Sequence, residues 1–220
     1  MIISRTRSYV FVHVPKTGGT AMALALERHA LPDDILIGDT PLARARRGAL
    51  RGALRGLRPA GRLWKHSTLA DIDGILTADQ IARLVVFTLV RNPWDRMVSY
   101  YHWLRVQSFD HPAVRLAKIS DFSAFLNDPA TGAALRANPV ARYLTDARGV
   151  EHPALCLRLE HLDQDIAPLA AHLGFLPVLP RANASRRPAD WRAQYGDADA
   201  ALLGRLAAPD IARFGYRFDP

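Results

Sequence analysis

The apolar positions of the chain fall into short continuous runs, and segments with helical periodicity separate these runs. Continuous apolar runs are typical of strands that are covered on both faces. The predicted strands are 8–14, 34–37, 62–65, 84–90 and 154–159, and the predicted helices are 18–30, 93–107, 162–173 and 197–213. This alternation predicts a three-layer α/β fold with a central, mainly parallel sheet flanked by helices.

A length of 220 residues suits one domain, and no segment rich in Pro, Gly or Ser divides the chain. We therefore predict a single domain over 1–220. Within it, residues 44–62 repeat arginine every three or four positions beside leucines and glycines. On a helix these arginines share one narrow face, although the glycines weaken that helix. The segment is interpreted either as the solvated face of a packed helix or as a mobile basic flap that meets an acidic substrate or a membrane.

A formal net charge of +8 indicates an anionic partner, but charge alone does not distinguish nucleic acid, membrane, nucleotide and acidic polysaccharide. Cys156 is the single cysteine, which excludes a disulfide framework and a cysteine-based metal cluster. No run approaches the roughly 18 apolar residues of a membrane span, and the first residues lead into a predicted core strand rather than a signal peptide. We expect a cytoplasmic protein without a transmembrane span. Peripheral membrane contact and oligomeric state are left open.

A glycine-rich turn, PKTGGT at 15–20, joins the first long strand to a helix. Gly18 and Gly19 let the backbone turn, and the positive end of the following helix favours an anion there. Lys16 adds a compact cation, and it is one of only three lysines among 29 basic residues. The alternative is an ordinary turn with a surface lysine. The strand before it and the helix after it favour a phosphate site.

Two features separate this turn from the nucleoside triphosphate sites that it partly resembles. The lysine precedes the glycines, whereas in the Walker A pattern it follows them. In many P-loop enzymes a later core strand ends in an aspartate that helps to hold Mg²⁺. Here strand 84–90 is followed by Arg91, which attracts a phosphate and repels a metal ion. The residues therefore favour a nucleotide that is bound without a metal.

The stretch FVHVPKTGGTA, at 11–21, resembles the 5′-phosphosulfate loop of P-loop sulfotransferases that use 3′-phosphoadenosine 5′-phosphosulfate (PAPS), especially the carbohydrate-type family. TLVRNPWDRMVSYYHW, at 88–103, resembles the segment of that family that binds the 3′-phosphate. The likeness extends to 158–175 and 210–218. It implies a P-loop-type fold, PAPS as donor, 3′-phosphoadenosine 5′-phosphate (PAP) as product, a carbohydrate hydroxyl as acceptor, and no nucleic-acid partner.

The same resemblance implies roles for particular residues. Lys16 and its turn hold the 5′-phosphosulfate, and Arg91 and Ser99 bind the 3′-phosphate. A late loop, at 183–195, closes over the cofactor. The implied cofactor-binding residues are Lys16, Thr17, Gly18, Gly19, Thr20, Arg91, Ser99, Ser185 and Arg187. A helix-surface hydroxyl at Ser99 and a solvated basic loop at 183–195 are the alternatives, and the choice between Arg186 and Arg187 stays open.

Transfer to a hydroxyl requires a base, and histidine titrates close to neutral pH. Of the eight histidines, His13 lies inside a predicted strand, which favours a place in the core. His66 follows strand 62–65, at the end where active sites of open α/β sheets gather, and members of the resembled family carry a histidine after a comparable strand. We predict that His66 is the general base and that Lys16 is its catalytic partner. A structural histidine or a glutamate base is the alternative.

The leading hypothesis is a PAPS-dependent sulfotransferase that moves a sulfuryl group in line to a hydroxyl. A P-loop kinase or NTPase is the second, but it needs a magnesium-holding acid that the sequence does not place after a core strand. The third is a non-catalytic basic module that binds nucleic acid or an anionic membrane through 44–62.

Overall fold

A computed structural model describes residues 1–180, 188 and 190–219 of the chain. The strands are β1 (Ile2–Ser4), β2 (Tyr9–Val12), β3 (Ile35–Leu36), β4 (Val85–Val90) and β5 (Ala154–Arg158). The helices are α1 (Gly19–Glu27), α2 (Pro41–Ala45), α3 (Arg47–Ala53), α4 (Ala78–Ile81), α5 (Pro93–Arg105), α6 (Pro112–Ile119), α7 (Phe122–Asn127), α8 (Pro129–Ala137), α9 (Val140–Leu144), α10 (Leu162–Asp165), α11 (Ala167–Leu173), α12 (Asp197–Leu206) and α13 (Ala208–Phe214).

Two compact units contain these elements. The sheet unit comprises Met1–Val90 and Val140–Asn183, and the helical unit comprises Arg91–Pro139 and Ala184–Pro220. The single-domain expectation stays a prediction. None of the described helices is long and apolar enough to cross a membrane.

The sheet unit contains five strands in the order β3-β1-β2-β4-β5. β2 pairs with β4 and β4 with β5 in parallel, whereas β1 is antiparallel to both of its neighbours. Because β2 and β3 are both antiparallel to β1, they run in the same direction as each other. The four strands β2, β3, β4 and β5 are therefore parallel in direction, and β1 alone runs the opposite way. This confirms the α/β class with a mixed, mainly parallel sheet flanked by helices. The antiparallel strand β1 was not predicted, since three residues are too short for a periodic pattern.

The core of the sheet unit explains why the continuous apolar runs are strands. Phe11 of β2 pairs in register with Phe87 of β4, which pairs with Leu155 of β5. Buried side chains from α1, including Met22 and Leu26, pack into the same cluster, together with side chains from α2 and α11. Phe11 and Phe87 are fully buried, so each gives up close to its whole apolar surface, worth about 1.5–3 kcal/mol per side chain.

The helical unit has its own core, built around α5. Trp94 and Tyr101 are buried there against Phe125 of α7 and Leu203 of α12. The Trp94 indole nitrogen donates to the Ala200 carbonyl at 2.9 Å. The Tyr195 hydroxyl donates to the Trp94 carbonyl at 2.8 Å. These bonds satisfy the side-chain polar atoms of two large aromatic residues that pack into the apolar core of the unit.

Several predicted elements are wrong in detail. Residues 62–65 are not a strand, and the 44–62 repeat forms two short helices that meet at Arg46 and end at Ala53. The long predicted helices at 162–173 and 197–213 are each divided in two. In both, a proline stands in the first turn of the second helix, where its missing N–H and fixed φ angle suit a new start rather than a helix interior.

Candidate active site

The turn between β2 and α1 has an unusual backbone. Lys16 and Gly18 have φ angles of 66° and 88°, both in the left-handed region. Glycine adopts this region freely, whereas for lysine it costs on the order of 1 kcal/mol. Strained residues of this kind persist where the surrounding structure imposes them, and they cluster at ligand clamps and active sites. The conformation of Lys16 therefore favours a binding role over an ordinary surface position.

The two glycines are required for different reasons. Gly18 supplies the left-handed φ angle that ends the turn, and Gly19 admits the ring of His13. A Cβ atom on Gly19 would lie only 2.0 Å from Cδ2 of His13. Gly19 is also the first residue of α1, where backbone amides have no acceptor within the helix. The turn thus presents amides and a helix N-terminus, which together favour an anion.

The two threonines of the turn differ in what they can offer. Thr17 is buried, and its hydroxyl donates to the Val14 carbonyl at 2.9 Å. That hydroxyl hydrogen is used inside the turn, so in this conformation the Thr17 hydroxyl does not donate to a ligand. Thr20 is partly exposed and lines a cleft. The cleft is also lined by His13, Glu27, Asp39, Thr40 and Lys65.

His66 contacts the turn through His13. Its Nδ1 lies 2.8 Å from the His13 carbonyl oxygen, and the two imidazole rings are 4.5 Å apart between centroids. A carbonyl oxygen can only accept, so Nδ1 carries the hydrogen and Nε2 keeps its lone pair. Gly19, His13 and His66 therefore form a continuous series of contacts within the sheet unit. The burial of His13 confirms its predicted place in the core.

Burial sets the protonation state of these histidines. It lowers the pKa of His66 to about 4, and the nearby Lys65 ammonium acts in the same direction, while the hydrogen bond with His13 opposes the shift. Burial also holds the pKa of His13 well below its usual value. Both rings are therefore neutral at pH 7, which is the form in which Nε2 of His66 can accept a proton.

His66 lies in a hydrogen-bonded loop and not at the end of a strand. The hydroxyl of Ser67 accepts from the Trp64 amide at 2.9 Å and lies 3.0 Å from the Arg62 carbonyl oxygen. A carboxylate oxygen of Asp71 accepts from the Thr68 amide at 2.7 Å. Ser67 is fully buried, so these bonds are shielded from water and fix the loop on both sides of His66.

Lys65 forms an ion pair with Asp39, with 2.8 Å between Nζ and Oδ2. Although burial acts against it, this hydrogen bond holds the pKa of Asp39 below its usual value. Asp39 follows β3, which runs in the same direction as β2. The carboxyl ends of the two strands therefore share one edge of the sheet, and the Lys65–Asp39 pair lines the same cleft as Thr20.

Arg91 and Ser99 belong to the helical unit. The Arg91 guanidinium contacts Asp95 at 2.7 Å from Nε and 2.6 Å from Nη2, and both side chains are only 12% exposed. Asp95 thus holds the guanidinium of Arg91 through an ion pair within one turn of α5. Ser99 is 4% exposed on α5, so the alternative of a helix-surface hydroxyl is wrong. Arg96 contacts Asp210 at 3.9 Å.

The late loop is only partly described. Ser185, Arg186 and Arg187 lie outside the described residues, so their implied roles stay predictions. Further along the same stretch, the guanidinium of Arg192 lies 4.3 Å from the ring centroid of Trp191. Its Nε donates to the Phe218 carbonyl at 2.8 Å.

Comparisons with known proteins give a distant likeness to a sulfotransferase structure. No family model matches the chain, and no curated protein matches it. Among solved structures, the crystal structure of mouse sulfotransferase SULT7A1 complexed with PAP is 16% identical, over 96% of this chain and 67% of that chain, with a TM-score of 0.40. At this low TM-score the likeness carries no argument about fold or function, so any assignment depends on the geometry of the chain itself.

Two neighbours of the candidate base were not predicted from the sequence. The His13 carbonyl fixes the tautomer of His66, and the indole of Trp64 stands edge to face with His66 at 4.9 Å between ring centroids. Trp64 is 44% exposed, which is unusual for so large an apolar side chain. The sequence signal that could have indicated this contact is the position of Trp64, two residues before His66.

Proposed function

We propose that the chain is a PAPS-dependent sulfotransferase that transfers a sulfuryl group in line to a hydroxyl of a carbohydrate acceptor. The observation that carries this proposal is the series of contacts from Gly19 through His13 to His66. It joins an anion-binding turn to a neutral histidine with a defined tautomer. A phosphate-binding turn beside a base is what transfer from a phosphate leaving group to a hydroxyl requires.

The turn suits the phosphosulfate end of the donor. PAPS, when bound, supplies a sulfuryl group carried by a phosphate leaving group. The amides at the start of α1 and the ammonium of Lys16 stabilise the negative charge that develops on that phosphate. Lysine suits this task because its flexible stem lets a compact charge follow the developing charge. Thr20 adds a hydroxyl donor at the edge of the cleft.

His66 acts as the general base in this proposal. Its Nε2 accepts the proton of the acceptor hydroxyl as the oxygen attacks. Its Nδ1–H stays hydrogen-bonded to the His13 carbonyl, which holds the ring in place and stabilises the imidazolium that forms. The fixed tautomer thus leaves the basic nitrogen available to the acceptor.

The 3′-phosphate is assigned to Arg91 and Ser99, and Ser185 and Arg187 are further nucleotide-binding residues in this proposal. Asp95 holds the Arg91 guanidinium in one orientation, which lowers the entropy that binding has to remove. In this proposal the charge of the nucleotide is met by protein cations and amides without a metal ion.

Calorimetric titration tests the proposal against its competitors. We expect PAP to bind in the absence of Mg²⁺ and more tightly than ATP with Mg²⁺. Tighter binding of ATP with Mg²⁺ would favour a kinase or NTPase, and binding of neither nucleotide would favour a non-catalytic basic module. Transfer of radiolabelled sulfate from PAPS to a panel of glycans, lipid-linked sugars and small hydroxyl compounds then tests the reaction and the carbohydrate acceptor.

A further inference from the structure

Residues 216–218 form a short segment that follows α13 in the helical unit. α13 ends at Gly215, whose φ angle of 69° lies in the left-handed region that is typical of the residue after a helix. Residues 216–218 belong to no helix or strand, so their carbonyl groups need hydrogen-bond donors from elsewhere. Two stretches of the candidate nucleotide site supply these donors.

Asn92 joins the 216–218 segment to the start of α5. Its Oδ1 accepts from the Trp94 amide at 3.0 Å, which makes Asn92 the N-cap of the helix. Its Nδ2 donates to the Arg217 carbonyl at 2.9 Å. Asn92 is only 9% exposed, so water competes little for these bonds. Because Asn92 directly follows Arg91, the bond to the segment also fixes the backbone that carries the Arg91 guanidinium.

The same segment is bound to the end of the late loop. Nε of Arg192 donates to the Phe218 carbonyl. The centroid of the Phe218 ring lies 5.4 Å from that of Trp191 and 5.5 Å from that of Tyr195. Phe218 also stands edge to face with Trp94 of α5, at 5.7 Å between centroids. Two consecutive carbonyls of the segment thus accept from two different parts of the candidate site, and one ring packs against both parts.

We infer that Asn92 and Phe218 are positioning residues for the 3′-phosphate. Through the 216–218 segment they hold Arg91, at the start of α5, and the end of the late loop in the arrangement that binds this phosphate. The inference rests on the proposed function. Both residues act through others, and neither side chain touches the nucleotide.

This link complements the ion pair between Arg91 and Asp95. Asp95 sets the direction of the guanidinium, and Asn92 sets the position of the backbone from which it extends. A cation that is fixed in both respects loses little freedom when a phosphate binds. Without the link, the observed affinity falls in proportion to the fraction of molecules that keep the binding arrangement.

A purely structural role for the segment makes a different prediction. Loss of core packing would loosen the helical unit as a whole, and it would weaken the binding of different nucleotides to a similar extent. A positioning role weakens only a ligand that carries a 3′-phosphate. PAP and AMP separate the two roles, because they differ only in that group.

Calorimetric titration of PAP and AMP into the variant Asn92→Ser tests the inference. Serine is about as good an N-cap as asparagine, but it has no amide that could donate to the Arg217 carbonyl. We expect PAP affinity to fall about three- to tenfold, the equivalent of one hydrogen bond, and AMP affinity to stay the same. An unchanged ratio of the two affinities would overturn the inference.

Asn127→Ser is the matched control. The Asn127 amide donates to Oδ1 of Asp199 at 2.7 Å and so joins α7 to α12 in the same unit. The control therefore removes a bond of the same kind between two other elements, and it should leave the PAP-to-AMP ratio unchanged. A fall in the ratio as large as that of Asn92→Ser would indicate general loosening and would also overturn the inference.

Variants of Phe218 test the other end of the link. Phe218→Ala should lower the PAP-to-AMP ratio, whereas Phe218→Tyr keeps an aromatic ring against Trp94 and should keep the ratio. In the double variant Asn92→Ser/Phe218→Ala, the loss should be no larger than that of the stronger single change, because both act through one segment. Additive losses would contradict the shared segment.

The unchanged protein separates this inference from the proposed function. It should bind PAP at least about tenfold more tightly than AMP, through charge-assisted hydrogen bonds to the 3′-phosphate. Absence of that preference contradicts the proposed function, whatever the variants do. A preference that survives in full in Asn92→Ser contradicts only the positioning inference.

Discussion

The imidazole ring of His13 fills the space that a side chain on Gly19 would need, with 2.0 Å between His13 Cδ2 and a Cβ built on Gly19. The ring belongs to the strand side of the turn, and the glycine is the first residue of α1. Because His13 also accepts a hydrogen bond from His66 through its carbonyl, these two contacts of His13 place the amides at the start of α1 and the candidate base in a fixed relation.

Gly19→Ala should therefore be destabilising. The added methyl group collides with a buried ring, and overpacking of this kind costs about 1–3 kcal/mol. Gly48→Ala is the matched control, because a Cβ at Gly48 meets nothing within 4 Å. That change should leave stability equal or raise it by up to about 1 kcal/mol. Urea denaturation measures both.

A double-mutant cycle shows whether the His13 ring causes the cost. His13→Ala removes the ring, so Gly19→Ala should cost much less in that background. The coupling energy should be at least about 1 kcal/mol. Additive effects of the two changes would contradict the contact.

Lys16 gives a prediction that separates charge from backbone strain. Lys16→Gly removes the ammonium and relieves the left-handed φ angle of 66°, so folding stability should stay equal or rise by up to about 1 kcal/mol. Transfer should nevertheless be abolished, and Lys16→Ala should abolish it as well while leaving the fold intact. Steady-state turnover with radiolabelled PAPS and thermal unfolding measure the two effects. Normal turnover by either variant would refute the assignment of the turn.

The sequence predicted the main sheet and the turn because both depend on local patterns. Long apolar runs identify β2, β4 and β5, and the glycines identify the turn before α1. The helices α6, α7 and α8 were missed because, at six to nine residues, none of them carries a long apolar repeat. Side-chain caps begin them instead, such as Asp121, which accepts from the Ala124 amide at 2.8 Å.

The structure around His66 is determined by contacts between residues that lie far apart in the sequence. RLWK, at 62–65, was predicted as a short strand, but the segment is a loop in which the buried Ser67 hydroxyl makes hydrogen bonds to the Trp64 amide and the Arg62 carbonyl. The hydrogen bond between His66 and His13 joins residues 53 positions apart. Single-sequence patterns report neighbours three or four residues away on a helix, or two on a strand, and they do not specify such pairs.

Arg91→Ala should weaken PAP binding far more than it weakens binding of adenosine 5′-phosphosulfate, which has no 3′-phosphate. The change also leaves the buried Asp95 without its guanidinium partner, and an unpaired buried carboxylate is itself destabilising. Arg91→Ala/Asp95→Asn controls for that effect, since it removes the carboxylate charge as well. Calorimetric titration of both ligands compares the variants. An equal loss for the two ligands in the control background would contradict the assigned role.

His66→Ala should lower turnover by about 10²- to 10⁴-fold, the usual contribution of a general base. PAP affinity should change little, because the residues proposed to contact the nucleotide are others. His66→Asn keeps a side chain of similar size near the His13 carbonyl and lacks a basic nitrogen, so it should be as inactive as the alanine variant. Activity of the asparagine variant close to that of the unchanged protein would indicate a structural histidine.

The pH dependence follows from the pKa of His66, which burial lowers to about 4. The base is active only when neutral, so kcat/KM should not depend on the protonation of His66 above about pH 5 and should fall as pH drops through 4.

The lowered pKa of His66 also makes folding stability depend on pH. The unfolded chain binds the proton at an ordinary pKa near 6.5, so His66 contributes stability above that pH, and this contribution is lost as pH falls from about 6.5 to 4. Nitrogen-15 spectra of the ring should show a protonated Nδ1 and a bare Nε2 at neutral pH. A titration of His66 near pH 6.5 in the folded protein would contradict its burial against His13.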